Sequence, residues 1–302
     1  MLECSSVRGG IFFIAAFSGY LSEVRYVHMK IKFLGVGSAF TTPEYYQSNM
    51  LVTARNGRQL LVDCGSDIRF SLRESDDPDG DCVTDTSLQE VTPADEIDAI
   101  YISHLHADHI GGMEWIAFKT YFSLNPKKPK LFMERKLMHR MWKKSLQGGL
   151  GFIEGKLMHL TDYFDCRPVP EGGSFGWECL RFTLVKMPHV VAGYENHSSY
   201  GLLIEDSESH GSKVFITTDT QFRPGLIGKI GKKVTSIFHD CETSSLKSVV
   251  HAHYDDLCTL PSALRKKIWL YHYQPHPARQ PEADGFRGFV RKGQEFEFPP
   301  LF

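Results

Sequence analysis

The chain has 302 residues and a mass of 34.3 kDa, with 42% apolar and 23% charged side chains and a formal charge of -2. That balance excludes a surface that grips nucleic acid or anionic lipid over its whole extent, and the length allows about two domains or one large α/β domain. Seven cysteines without a C-x-x-C pair are too sparse for a disulfide scaffold and point to a reducing compartment.

In chain order, the apolar run Ile11–Phe17 is far shorter than the roughly 20 residues of a bilayer span. A weak signal-peptide core is the lesser reading. A self-sufficient start at Met29 predicts that residues 1–28 are an extension outside the fold. KIKFLGVGSAF then reads as a strand ending in a Gly-rich turn, and Met50–Ala54 and Gln59–Asp63 flank Asn56-Gly57 as an antiparallel hairpin. Ile68–Leu72 reads as a short helix, and the acidic, turn-rich stretch near 74–96 as a solvated insertion; its D-P-D-G-D core lacks the Gly and Glu spacing of a calcium loop.

Asp98–Ser103 is a buried-type strand that delivers the chain into His104. Apolar positions from Ile110 to Leu124 recur at helical spacing, and Leu180–Val185, Tyr200–Ile204, Val214–Thr218, Val234–Phe238 and Ile268–Tyr271 read as strands. Strands alternate with helices and no linker divides the chain, which predicts one α/β domain over 29–302.

SHLHADHIGG places His104, His106, Asp108 and His109 within six positions at a strand end. Alternation along a strand lets His104 and His106 converge on one ion, while the turn into the next helix swings Asp108 and His109 toward a second. His189 in KMPHV, Asp219 in FITTDT and His272 in WLYHY follow strand-like runs in the same order. This series resembles the metallo-β-lactamase superfamily, an αββα sandwich. The resemblance implies that His104, His106 and His189 hold one zinc ion and Asp108, His109 and His272 a second, with Asp219 bridging both. It counts Asp108 also among the catalytic residues. Two ions so placed activate a water and steady a phosphoryl displacement.

FLGVGSAFTTPEYYQSN, LLVDCGSD and SHLHADHIGG resemble the RNase Z branch, in which a downstream histidine protonates the leaving oxygen and an acidic residue orients it. The resemblance assigns His253 of VVHAHYDDL as general acid and Asp240 of IFHDCETS as its partner, with His251 the weaker candidate. The segment from His189 to Asp219 is too short for the tRNA-gripping arm of RNase Z. The basic stretch from Lys127 to Lys144 reads as a solvated helical face, and the chain is not basic overall.

FLGVGSAFTTPEYYQSNM, DCGSDIRFSL, AIYISHLHADHIGGMEWIAF and VHAHYDDL followed by LPSALRKKIWLYHYQ are similar to the anti-Pycsar phosphodiesterases, over Met29 to about Gln274. That resemblance implies a cytoplasmic dizinc homodimer that hydrolyses cCMP, cUMP and also cAMP and cGMP, counteracting a cyclic-nucleotide antiphage signal, with no membrane or stable nucleic-acid partner. A tRNA 3′-end endonuclease is the alternative. Tyr121, Phe122, Tyr194 and Tyr200 are candidates for stacking a base.

Overall fold

In Met29–Phe33, buried and half-buried side chains alternate, the period-two pattern of a strand with one face on a core. A computed structural model describes residues 29–76, 93–193, 195–206 and 211–299; the expected extension over 1–28, most of the acidic insertion and Tyr194 lie outside the described residues. The strands are β1 Met29–Phe33, β2 Met50–Ala54, β3 Gln59–Val62, β4 Ile97–Ile102, β5 Lys130–Glu134, β6 Phe152–Ile153, β7 Lys156–Leu157, β8 Asp165–Val169, β9 Ser174–Trp177, β10 Leu180–Ala192, β11 Glu195–Asp206, β12 Val214–Ile216, β13 Ser236–Asp240, β14 Ile268–Tyr271, β15 Gly288–Phe289 and β16 Glu295–Phe298.

They form two seven-stranded sheets, ordered β16-β1-β2-β3-β4-β5-β8 and β15-β14-β13-β12-β11-β10-β9, while β6 and β7 make a separate hairpin. In each sheet, antiparallel strands give way to a parallel stretch, β3-β4-β5-β8 in one and β12-β13-β14-β15 in the other. Parallel α/β stretches gather functional groups at the carboxyl ends of their strands, and both do so here. Aromatic side chains fill the space between the sheets, with Phe33 5.0 Å from Phe238, 5.5 Å from Tyr271 and 5.9 Å from Phe296 between ring centroids. A second apolar cluster joins Ile227 of the helix Pro224–Gly231 and Tyr254 and Leu257 of the helix Tyr254–Leu257 to Ile237, Ile268 and Leu270 of the sheet. Helix-backed sheets packed face to face are the αββα sandwich that the resemblance implies.

Several local expectations change. Asn56-Gly57 sits in a hairpin in which Gly57 takes φ 83° and the β2 and β3 registers close at Thr53 and Gln59. The helix after β3 runs Ile68–Asp76, longer than the predicted Ile68–Leu72. The predicted helix over 110–124 divides into Ala107–Ile110 and Met113–Tyr121. The Asn196-to-Tyr200 stretch, read as a loop, lies within β11, which pairs with β10 from Leu180 to Ala192. Past Gln274, where the resemblance stops, the chain contributes β15 to one sheet and β16 to the other. Cys64, Cys166, Cys241 and Cys258 are free thiols. Among the described residues no helix is long and apolar enough to cross a membrane.

Candidate metal centre

Each histidine of the predicted set arrives on a strand end or a deliberate irregularity. His104 and His106 follow β4, and the helix Ala107–Ile110 carries Asp108 and His109. His189, expected just after a strand-like run, lies within β10. The register slips between Pro188 and Val190, so His189 is the extra residue of a β-bulge, which re-aims its side chain. Asp63, Thr218 and His272, at or just past the ends of β3, β12 and β14, take left-handed φ of 62°, 52° and 63°. Such conformations are costly for residues with a Cβ and cluster where the backbone must present a functional group.

The donor atoms converge in two groups. One ligand atom each from His104, His106, His189 and Asp219 lie within 4.8 Å of one another, and the same holds for Asp108, His109, Asp219 and His272; Asp219 belongs to both. Nε2 of His104 is 3.0 Å from Nδ1 of His106, which is 3.1 Å from Nε2 of His189. His109 Nε2 and Asp219 Oδ1 are buried 3.2 Å apart, and neither has a hydrogen-bond partner among the described residues. Three facing imidazole nitrogens and an orphaned nitrogen beside a carboxylate fit divalent cations with nitrogen and oxygen ligands.

The opposite ring nitrogens are tied down. Nδ1 of His104 meets Ser103 Oγ at 3.0 Å, Nδ1 of His189 the Val250 carbonyl at 2.9 Å and Nδ1 of His109 Asp63 Oδ2 at 2.8 Å, while Nδ1 of His272 lies 3.3 Å from Asp240 Oδ1 without a hydrogen bond. Each tether fixes a tautomer that turns Nε2 toward the cluster. Burial pushes the imidazoles of His104, His106 and His189 below their ordinary value, so all three are neutral and carry free lone pairs. At His109 and His272 burial acts in the same direction but is outweighed by Asp219 and neighbouring carboxylates; His109 rises well above the imidazole range and His272 reaches about 10.

Two further residues complete the site. Asp240 is fully buried, and its Oδ2 accepts the Thr220 N–H at 2.8 Å and lies 2.9 Å from Nδ1 of His251. Burial would raise the Asp240 carboxyl, but His251 and His272 hold it at about 2. The His251 ring stands 5.0 Å from the rings of both His189 and His272, and its side chain keeps 19% exposure, so it faces the mouth of the cluster. His253 is placed otherwise than the assignment from resemblance expects. It caps the helix Tyr254–Leu257, with Nδ1 accepting the Asp255 N–H at 3.2 Å and Nε2 on the Ser244 carbonyl at 3.0 Å. Both nitrogens are spent on backbone, and Asp240 turns to His251.

A model of the family described as "Anti-Pycsar protein Apyc1" matches residues 29–296. The chain belongs to the anti-Pycsar protein Apyc1 family. It is 34% identical over 247 residues to the Apyc1 protein of Paenibacillus harenae, covering 81% of this chain and 90% of that one. It is 31% identical over 276 residues to the Apyc1 protein of Bacillus phage vB_BveM-Goe7, covering 88% and 97%. The metallo-beta-lactamase fold protein YhfI of Bacillus subtilis superposes with a TM-score of 0.65 at 16% identity, over 89% of this chain and 98% of that one. The fold is therefore that of the metallo-β-lactamases, and the family match extends past Gln274, where the sequence resemblance stops, onto β15 and β16.

Within this Apyc1 family member, sequence reasoning passed over Asp63. Its Oδ1 accepts the Ser103 N–H at 2.8 Å, and its Oδ2 takes both the Ser103 hydroxyl and His109 Nδ1 at 2.8 Å. The signal was an aspartate closing the apolar run LLVD. The aromatic candidates for stacking are mixed: Tyr200 is buried with its hydroxyl on Glu171, Tyr121 packs against the core, and Phe122 is 65% exposed.

Proposed function

We propose that this chain is a dizinc phosphodiesterase that hydrolyses 3′,5′-cyclic mononucleotides, cCMP and cUMP as well as cAMP and cGMP, to linear nucleotides. In this reading residues 29–302 act as one hydrolase domain of a cytoplasmic homodimer that removes cyclic-nucleotide alarm signals. The observation that carries it is the pair of donor groups sharing Asp219, with a hydrogen-bonded histidine at their mouth, in a chain of the Apyc1 family. His104, His106 and His189 would hold one ion, Asp108, His109 and His272 the other, and Asp219 both. Bound there, two divalent cations would acidify a water so that its proton passes to solvent, and would withdraw charge from the phosphoryl oxygens.

The chain's own residues supply the rest. Asp108 stays ionised: burial opposes this, but His109 and His272 at 3.2 and 3.3 Å hold its carboxyl well below the usual range. Its carboxylate accepts a hydrogen bond from the attacking water and orients it. As the water oxygen joins phosphorus, the bond from phosphorus to a ribose oxygen breaks, and that oxygen leaves as a poor alkoxide unless protonated. His251 is assigned as the donor: Asp240 engages Nδ1, which leaves Nε2–H to deliver the proton. Asp240 fixes the His251 ring, and its Oδ1 sets a negative charge 3.3 Å from Nδ1 of His272.

Incubating zinc-loaded protein with the four cyclic nucleotides tests the reading, with linear monophosphates as expected products; no product from any of them sinks it. Among the described residues β10, β11 and β12 take up the stretch from His189 to Asp219 and form no tRNA-gripping arm, so a precursor tRNA should remain untrimmed.

A further inference from the structure

The loop 243–252 carries two groups that the proposed chemistry needs. The Val250 carbonyl fixes the His189 tautomer at 2.9 Å, and His251 engages Asp240. Apolar anchoring is confined to its end, where Ala252 is buried, while Leu246 is 81% exposed and Val249 79%. Val249 also takes φ 54°, a left-handed conformation that is a genuine outlier for a β-branched residue. A strained, poorly anchored loop persists only when its surroundings over-determine it.

Glu242 does so from the loop's neck. It is 5% exposed, and its Oε2 accepts the Ser248 N–H at 2.8 Å while Oε1 meets the Ser244 hydroxyl at 3.0 Å. Its backbone N–H donates to the Ala252 carbonyl and its carbonyl accepts the Tyr254 N–H, each at 2.9 Å, on either side of His253. The Lys247–Asp256 pair is exposed and contributes little. One buried carboxylate thus spans the loop from inside, next to the strained residue.

We propose that Glu242 is a positioning residue, which clamps the loop 243–252 so that His251 reaches Asp240 and the leaving oxygen together. The inference rests on the assignment of His251 as proton donor. The clamp works by hydrogen bonding rather than charge. A glutamine can accept the Ser248 N–H and donate its amide N–H to Ser244 Oγ, which frees the Ser244 proton for the Leu246 carbonyl 2.5 Å away.

The test compares Glu242→Ala, Glu242→Gln, His251→Ala and the Ala/Ala double variant on cyclic nucleotides and on bis(p-nitrophenyl) phosphate, whose p-nitrophenolate leaves without a proton. Glu242→Ala is expected to lower kcat on cyclic nucleotides by about 10- to 100-fold with KM little changed, to spare the nitrophenyl ester, and to add nothing in the His251→Ala background. Glu242→Gln should restore most of the rate. Equal losses on both substrates, or additive losses in the double variant, overturn the proposal. Glu242→Asp, which withdraws the carboxylate by one methylene, repeats the test if the alanine variant does not fold. If wild-type protein hydrolyses no cyclic nucleotide, the functional reading fails by itself and amide exchange decides the clamp. Faster exchange across 243–252 in Glu242→Ala but not in Glu242→Gln sustains it, and unchanged exchange overturns it.

Discussion

Oδ2 of Asp240 lies 2.9 Å from Nδ1 of His251, and the neighbouring His253, two residues on, turns away to cap a helix. This geometry separates two histidines that share one H-x-H motif. His251→Ala is expected to reduce kcat on cyclic nucleotides by about 10²- to 10⁴-fold with metal content preserved. His253→Ala should cost less than about tenfold in rate and about 1 kcal/mol of stability through the lost cap. Steady-state kinetics beside denaturant titration tells them apart, and the reverse ranking would return the proton donor to His253.

Asp63 touches no other member of the cluster than His109, yet it holds that ring and the Ser103 backbone that leads into His104. Replacing Asp63 by Ala should weaken zinc binding by about 10- to 100-fold, measured by competition with a chromophoric chelator. Unchanged affinity would show that His109 needs no outer support.

Protein stripped of metal should show a characteristic pH profile. Burial lowers the His272 imidazole, but Asp219, Asp108 and Asp240 overcome it and push it up to about 10. A raised pKa gives stability that is full below the unfolded value of about 6.5 and is lost as pH rises through about 10. His104, His106 and His189 are shifted down, chiefly by burial, so they weaken the fold only as pH falls below about 6.5, where the unfolded chain takes up protons the native sites refuse. Urea midpoints of the metal-free protein should therefore peak near pH 6.5 and decline toward 10. A flat alkaline limb would contradict the ion network.

Gly65 offers a steric test. A Cβ there would stand 2.1 Å from the Asp108 carbonyl oxygen and 2.8 Å from its carbon, backbone atoms that cannot rotate away as the Gln47 side chain can. Gly65→Ala should displace the turn that carries Asp108 and His109, destabilising the protein by about 1–3 kcal/mol and reducing zinc stoichiometry. Normal metal content with normal thermal unfolding would refute this account of the close approach.

The first half of the site was legible because it is local. His104 to His109 place four ligand-type residues within six positions at the end of a buried strand, and no distant contact is needed to see them. His189, Asp219 and His272 were legible by their order behind it. The choice between His251 and His253 was not, because it depends on Asp240 and Glu242 meeting that segment across the fold; the one local hint was Asp255 and Asp256 in the first turn after His253. The bulge at His189 was likewise hidden, since a slipped register is a property of two strands. For β16, EFEF alternates as a strand should, but a four-residue segment gives no sign of which sheet it will join.

That last strand sets a schedule for biosynthesis. β16 pairs with β1 in register from Met29–Phe298 to Lys32–Glu295, and Phe296 packs against Phe33 and Phe238 between the sheets. The edge of the sheet that bears His104 is thus closed by residues the ribosome makes some 260 positions after β1. A nascent chain can assemble most of the donor set while that edge is open, yet its central aromatic packing waits until Phe296 has left the exit tunnel.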